Sequence, residues 1–155
     1  MARWGGDRLE CLTLADSPIA VRHRDGMVGV IEDDRAAHLP GGRPYTLELV
    51  RAQRNRPGGF WVASTSPDAA YEAVTAAVPE REIECVAMLT DGVTRLIDDY
   101  GHDWPRLLDT LRTGGPAHAS GLVRAAERAR PHSHGKPHDD ATALVMTYEN
   151  DDGRG

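Results

Sequence analysis

The chain has 155 residues, of which 40% are apolar and 27% charged, and 24 acidic against 18 basic side chains give a formal net charge of -6. This composition predicts a soluble globular protein of about one domain, and its negative charge argues against nucleic acid or an anionic membrane surface as a partner. No run approaches the roughly 18 apolar residues of a membrane-spanning helix, and residues 1–16 lack the pattern of a leader peptide, so we expect a cytoplasmic protein with no membrane partner.

The chain begins with a pattern of strands. Residues 9–15 partly alternate between apolar and polar side chains and end before Pro18, which removes a backbone donor. Residues 19–24 and 27–32 are two further extended runs, separated by an Asp-Gly pair that favours a two-residue turn. These runs predict one strand followed by a β-hairpin.

A segment rich in glycine and proline follows the hairpin. Residues 33–59, whose one short apolar piece is at residues 47–50, predict a long surface excursion that contains about one helical turn. Residues 60–63 then predict a short strand, and the alanine-rich residues 66–77 predict a helix that Pro79 ends.

The second half predicts a strand, three helices and a closing strand. Residues 83–89 form an almost continuous apolar run, which is typical of a strand covered on both faces. Helical patterns follow at residues 93–100, 104–112 and 120–129, and residues 141–148 predict the last strand.

Residues 1–148 are therefore expected to form one α+β domain, and the acidic, glycine-rich residues 149–155 a disordered tail. The two cysteines, Cys11 and Cys85, lie in apolar runs without the close spacing of a redox or zinc motif. We expect both thiols to be reduced and buried.

Three acidic turns each lie at the end of a predicted strand, and they contain Asp16, Asp91 and Asp139. Mg²⁺ and Mn²⁺ prefer oxygen ligands, and two such ions can activate a water molecule and hold a phosphoryl group. An Asp-Gly pair after a strand is usually only a turn, and an Asp-Asp pair before a strand is often a solvated cap. The order and setting of all three turns together favour a metal site.

These turns read Ala-Asp-Ser at residues 15–17, Thr-Asp-Gly at 90–92 and Asp-Asp-Ala-Thr at 139–142. In that order the chain resembles the second half of the protein phosphatase 2C family, which has a Gly-Asp-Ser turn before a hairpin, a (Ser/Thr)-Asp-Gly turn after a buried strand and an Asp-Asn-x-(Ser/Thr) turn before the last strand. The resemblance covers about residues 7–148, and residues 57–70 resemble actinobacterial members. It implies a fragment of the family's four-layer α/β/β/α sandwich.

The resemblance also implies a chemistry. The family binds two Mn²⁺ or Mg²⁺ ions and uses a bridging water to hydrolyse phosphoserine and phosphothreonine in phosphoprotein substrates, without a covalent intermediate. By this match Asp91 and Asp139 would be metal ligands, and Asp16 would be a candidate ligand of a weaker third ion. No side chain of the chain is assigned as a catalytic acid, base or nucleophile.

The sequence departs from the family pattern in several places. The family's earlier Asp-Gly-x-Gly-Gly motif and its phosphate-binding arginine have no counterpart before Asp16. Ala15 replaces a glycine, which is tolerable if its φ is negative, and Asp140 replaces an asparagine. Arg95 stands where many relatives carry another acid, which argues against a third ion. We therefore expect a truncated or internally started 2C domain that is weakly active or inactive as this chain stands.

Two alternatives remain open. The chain is alternatively a non-catalytic binding or regulatory module with a phosphatase-like fold, in which missing strands leave sheet edges open to self-association. Separately, His132, His134 and His138 have a spacing that suits zinc or nickel, although histidines in such a loop are more often simply solvated.

Overall fold

The protein is described by a computed structural model in which residues 1–42, 44–130 and 138–148 are placed. Over these ranges the chain has mixed α and β structure, with two antiparallel sheets and three α-helices. The strands are β1 (Ala2–Gly5), β2 (Arg8–Thr13), β3 (Ile19–His23), β4 (Val28–Ile31), β5 (Val74–Pro79), β6 (Ile83–Leu89) and β7 (Ala143–Thr147). The helices are α1 (Leu47–Gln53), α2 (Asp91–Asp98) and α3 (Trp104–Ala129).

The smaller sheet has the strand order β1-β2-β5. Its central strand β2 alternates strictly, with Leu9, Cys11 and Thr13 buried on one face and the intervening residues more exposed. β5 pairs with β2 along its full length, from Arg8 opposite Pro79 to Thr13 opposite Val74. β1 and β5 are thus the terminal strands of this sheet.

The larger sheet has the order β4-β3-β6-β7, and all its neighbouring strands are antiparallel. The predicted hairpin is confirmed as β3 and β4, whose turn places Gly26 at a φ of 88° and closes with a hydrogen bond from Gly26 N to His23 O. β6 is covered on both faces, as its apolar sequence predicts.

Two cores divide the molecule into layers. One core lies between the sheets and combines residues of β2, β3 and β6: Leu9, Cys11, Ile19, Val21, Ile83 and Val86. The other joins the larger sheet to α2 and α3, and includes Ala87, Leu89, Leu96, Leu107, Leu108 and Val123. Both cysteines are buried and free, as predicted, and burial raises the pKa of each thiol.

Helix α3 contains both of the separate helices predicted at residues 104–112 and 120–129. It begins after Asp103, whose side chain accepts a hydrogen bond from Arg106 N at 2.9 Å. Gly115 interrupts it with a φ of 74° and is followed by Pro116. Gly115 therefore separates two helical segments, as the sequence predicts, because glycine reaches a backbone conformation that other residues avoid.

The structure corrects two predictions of secondary structure and adds a strand that was not predicted. Residues 60–63 do not form a strand, since only an isolated bridge joins Phe60 to Arg54. The helix predicted over residues 66–77 is wrong: a short 3-10 turn at Pro67–Ala70 leads to the strand β5. Pairing with β2 outweighs the helix propensity of the alanines. Strand β1 was not predicted; it pairs with β2 as a terminal strand of the smaller sheet.

Within the ranges that are placed, no helix is long and apolar enough to cross a membrane.

Candidate functional site

The ends of β6 and β7 lie side by side, because Leu89 pairs with Ala143. Just beyond that pair, Thr90 N donates to Thr142 O at 3.0 Å, and Thr142 N donates to Thr90 Oγ1 at 3.0 Å. The Thr90 hydroxyl in turn donates to Asp140 O at 2.9 Å. The acidic turn that starts α2 is therefore joined to the acidic turn that precedes β7, although 50 residues separate Thr90 from Asp140.

Gly92 allows these two turns to touch. A β-carbon at this position would collide with the carbonyl group of Asp140, so a side chain cannot be accommodated without moving one turn. Gly92 N also donates to Asp91 Oδ1 at 2.8 Å, which orients the carboxylate at the first turn of α2. The glycine of the Thr-Asp-Gly sequence thus has a packing role beside a residue predicted to bind metal.

Asp16 lies on the turn between β2 and β3, and its side chain is exposed. The preceding residue, Ala15, has a φ of 58°, so the condition under which alanine readily replaces a glycine at this position is not met. A left-handed conformation costs an L-residue about 1–2 kcal/mol, which is the reason that glycine suits such a position. Ala15 N donates to Asp33 Oδ2 at 3.1 Å, and this bond helps to hold the turn.

Asp16, Asp91 and Asp139 line one cleft of about 1130 Å³. Burial raises the pKa of Asp91, and the negative charges of Asp16 and Asp139 raise it further. A hydrogen bond from Gly92 N and the charge of Arg95 act in the opposite direction but do not outweigh these effects. The three aspartates predicted from separate parts of the sequence are therefore close enough to influence one another.

These carboxylates have the right chemistry for a hard cation, since Mg²⁺ and Mn²⁺ bind carboxylate oxygens and retain several water ligands. The electrostatic strain at Asp91 is also of the kind that a cation relieves. Among the placed residues, however, no group of three or more histidine, cysteine, aspartate or glutamate side chains is arranged to hold an ion. The residues therefore fit part of a metal site rather than a complete one.

Arg95 lines the cleft beside Asp139. Its Nη2 lies 3.6 Å from Asp139 Oδ2, and its Nη1 lies 3.2 Å from Glu127 Oε1. The arginine side chain is only 14% exposed. Arg95 therefore supplies positive charge to Asp139 from within the protein.

Glu127 on α3 joins several cations behind the cleft. Its side chain is 1% exposed and contacts Arg95, Arg124 at 2.7 Å and His138 at 2.7 Å. Burial disfavours the charge on Glu127, but hydrogen bonds with Arg124 and His138 outweigh that effect and lower its pKa. Arg124 also donates to the carbonyl oxygen of Asp139, so the network fixes the backbone of the turn before β7.

The sequence interpretation missed Glu127. A signal was available, because Glu127 lies one helical turn after Val123, on the apolar face of the helix predicted at residues 120–129. A charged residue at a core position is buried only when it is paired. Arg124 lies three residues earlier on the same helix, whereas Arg95 and His138 come from other segments and could not be read from α3 alone.

A second buried carboxylate supports the Asp16 turn. Arg35 binds Asp33 with two side-chain hydrogen bonds, of 2.8 Å and 2.9 Å, and reaches Glu72 Oε2 at 2.9 Å. Asp33 in turn accepts the bond from Ala15 N. The position of the turn after β2 is therefore set by an ion pair on the segment that follows β4.

Of the three histidines with metal-like spacing, only His138 lies in the part of the chain that is placed, and its Nδ1 contacts Glu127. His132 and His134 fall outside those residues, so the zinc or nickel hypothesis remains a prediction.

No protein-family model matches this chain, and a search of the curated proteins finds no match.

Proposed function

We propose that this chain is part of a metal-dependent protein phosphatase of the 2C type, which hydrolyses phosphoserine and phosphothreonine in phosphoproteins. The observation that carries the proposal is that hydrogen bonds of Thr90 join the turn around Asp91 to the turn around Asp139. Those turns come from distant parts of the sequence, in the order in which the family has its acidic turns, and the Asp16 turn shares their cleft.

The layer order is consistent with the same proposal. A smaller sheet packs on a larger sheet, and α2 and α3 cover the other face of the larger sheet. These layers correspond to three of the four layers in an α/β/β/α sandwich, and we propose that the chain has that architecture in part. Fold alone does not determine function, so the argument for phosphatase chemistry rests on the cleft.

Asp91 and Asp139 would hold Mn²⁺ or Mg²⁺, and Asp16 is the remaining candidate ligand. When bound, such an ion would supply an activated water and neutralise charge on a phosphoryl group. The chain's own contribution is to hold Asp91 through Gly92 N and to fix the Asp139 turn through Arg124.

We expect metal binding to be weak and turnover to be low or absent in this chain. The placed residues bring no set of three ligands together, and Arg95 already neutralises part of the charge on Asp139. Loss of an ion's stabilisation of the transition state can remove several kcal/mol, and about 1.4 kcal/mol corresponds to a tenfold change in rate.

The test has two measurements. Calorimetric titration with Mn²⁺ is expected to show binding that weakens about tenfold or more in Asp91→Asn and in Asp139→Asn, because each loses a charged ligand. The matched control is Asp7→Asn, since Asp7 has a side chain that is 83% exposed and lies outside the cleft. Equal Mn²⁺ binding in all four proteins would remove the metal site from the proposal.

The second measurement is hydrolysis of p-nitrophenyl phosphate and of a phosphothreonine peptide with Mn²⁺. We expect little turnover, and we expect any turnover to be lost in Asp91→Ala. Robust turnover that depends on Asp91 would overturn the expectation of low activity while supporting the phosphatase. Turnover that is unaffected by Asp91→Ala would contradict the proposed site.

The second candidate function is a non-catalytic binding or regulatory module with the same fold. The contact of Arg95 with Asp139 favours this candidate, because the guanidinium group of Arg95 already supplies positive charge at a carboxylate that a metal ion would need as a ligand. Binding of a protein or peptide without any Mn²⁺ dependence, together with absence of turnover, would favour this candidate. Self-association through the terminal strands β1, β5, β4 or β7 stays a prediction, which light scattering over a range of protein concentrations tests.

A further inference from the structure

Arg95 contacts two carboxylates that come from different parts of the chain. It lies on α2, one helical turn after Asp91, and its guanidinium group reaches both α3 and the turn before β7. Nη1 donates a hydrogen bond to Glu127 Oε1 at 3.2 Å, whereas Nη2 lies 3.6 Å from Asp139 Oδ2, which is longer than a normal hydrogen bond. Of these two contacts, the one with Glu127 is the closer.

The two carboxylate oxygens of Glu127 contact different cations. Oε1 contacts Arg95, whereas Oε2 contacts Arg124 Nη1 and His138 Nδ1, each at 2.7 Å. The side chain of Glu127 is 1% exposed and that of Arg95 is 14% exposed. A guanidinium group buried to this extent needs a counter-charge. Glu127 supplies one that does not depend on Asp139.

The charge of Arg95 acts on both of the candidate ligands that Thr90 joins. Arg95 is the one basic residue among the described residues that line the cleft. It contacts Asp139, and it opposes the rise in the pKa of Asp91 that burial and the neighbouring acids produce. A fixed positive charge this close repels a divalent ion at the same carboxylates, and salt screens a partly buried charge less than a surface one.

We propose that Arg95 is a built-in competitor of a divalent cation at Asp139, and that Glu127 is the positioning residue that limits this competition. While Glu127 is present, Arg95 keeps a buried counter-charge even when Asp139 turns to an ion. Without Glu127, Arg95 pairs more strongly with Asp139, and the ion has to replace a stronger contact. Arg95 therefore weakens cation binding at this end of the cleft, and Glu127 strengthens it.

This inference rests on the proposed function, because it concerns the affinity of the same candidate site. It adds how that affinity is set, and it predicts opposite signs for the two members of one ion pair. A pair that only stabilises the fold predicts the same sign for both, since loss of either partner loosens the same contact between α2 and α3.

The first measurement is calorimetric titration of Arg95 variants with Mn²⁺. We expect Arg95→Gln to bind Mn²⁺ about fivefold more tightly than the wild-type chain, because the opposing charge is gone. Arg95→Lys keeps that charge and should stay within about twofold of wild type. Arg81→Gln is the matched control: its side chain is 77% exposed, and it precedes β6 at the end of the strand opposite Asp91. It should also stay within about twofold.

The second measurement introduces Glu127→Gln into the wild-type chain and into Arg95→Gln. We expect Mn²⁺ affinity to fall about threefold or more in the first background and less than twofold in the second, because Glu127 acts through Arg95. Melting curves confirm that each variant is folded at the temperature of titration. If Glu127→Gln is not folded, Glu127→Asp replaces it, since that change keeps the charge but withdraws it from Arg95 and should lower affinity in the same sense.

The outcomes separate this inference from the proposed function. If Mn²⁺ binds through Asp91 but Arg95→Gln binds no more tightly, the competition is wrong and the metal site stands. A gain in Arg95→Lys equal to that in Arg95→Gln overturns the role of charge. Equal losses in the two Glu127 backgrounds overturn the positioning role of Glu127. If no protein binds Mn²⁺, Arg95→Gln included, the metal site and this inference are both wrong.

Discussion

The carboxylates of this protein have two opposite environments. Asp33 and Glu127 are almost fully buried, and arginine contacts lower their pKa despite that burial. Asp91 is only partly buried, yet its pKa is raised by burial and by the negative charges of Asp16 and Asp139. The more deeply buried acids are thus the ones whose negative charge the protein stabilises better.

The difference separates structural acids from candidate functional ones. Asp33 and Glu127 hold backbone turns through their partners, the first through Ala15 N and the second through Arg124. Burial, together with the like charges of Asp16 and Asp139, raises the pKa of Asp91, and a raised pKa in a cleft is a common mark of a binding or catalytic site. Substitutions at these three acids test this division, and a fourth tests the turn that Asp33 helps to hold.

The largest effect is expected at Glu127. Glu127→Gln keeps the size of the side chain but leaves Arg95 and Arg124 without their buried counter-charge. Breaking a buried pair from one side typically costs 3–5 kcal/mol, and we expect about 3 kcal/mol here because Arg124 and His138 can reach water. Urea denaturation measures the loss.

Glu48→Gln is the control, since Glu48 is exposed on α1 and should change stability by less than about 0.5 kcal/mol. Similar losses in the two variants would show that the Glu127 network is not stabilising.

The second effect concerns Asp33 and depends on pH. Asp33→Asn should lower stability by about 2 kcal/mol near pH 7, because Arg35 loses a carboxylate whose side chain is 1% exposed.

Burial raises the pKa of Asp33, but the hydrogen bonds from Arg35 and Ala15 N lower it below its usual 3.8. The stabilisation is therefore present above about pH 4 and is lost as pH falls through the lowered pKa. Urea denaturation of both proteins at neutral and acidic pH should show the difference shrinking below about pH 4. A difference that grows on acidification would contradict this sign.

At Asp91 we expect a substitution to raise the stability of the protein rather than lower it. Asp91→Asn keeps the acceptor for Gly92 N and removes a charge beside Asp16 and Asp139, so we expect it to stabilise the protein by about 1 kcal/mol in EDTA. Excess Mn²⁺ should raise the melting temperature of the wild-type chain but not that of the variant, since ligand binding to the native state adds stability. Asp68→Asn, on an exposed turn, controls for a general effect of net charge. A variant that is less stable than wild type in EDTA would place Asp91 with the structural acids.

The sequence was sufficient for the parts of the fold that local patterns determine. The β3–β4 hairpin and the buried strand β6 follow from an Asp-Gly turn and an almost continuous apolar run, and both are confirmed. β5 could not be recognised, because its alanines favour a helix and only pairing with β2 makes them a strand.

The candidate site shows the same division. The three acidic turns were visible in the sequence, and the structure brings them to one cleft. Arg35 lies two positions from Asp33, and Arg124 lies three positions from Glu127, so these two partners are local in sequence. The other members of the networks were not visible, since only the folded chain brings them together: 32 positions separate Arg95 from Glu127, and 37 separate Arg35 from Glu72.

The smallest expected effect concerns the turn that carries Asp16. Ala15 has a φ of 58°, and a glycine there would avoid a conformational penalty of about 1–2 kcal/mol. Glycine also makes the unfolded chain more flexible, which opposes the gain by about 0.4–1 kcal/mol, so Ala15→Gly should stabilise the protein by roughly 0.5 kcal/mol. Ala125→Gly is the matched control, because Ala125 is exposed within α3 and the same change should there destabilise by about 1 kcal/mol. Opposite signs for one chemical change would show that backbone conformation at Ala15 decides the result. A loss at both positions would mean that the added flexibility of the unfolded chain outweighs any relief of strain at Ala15, because glycine keeps the N–H that donates to Asp33.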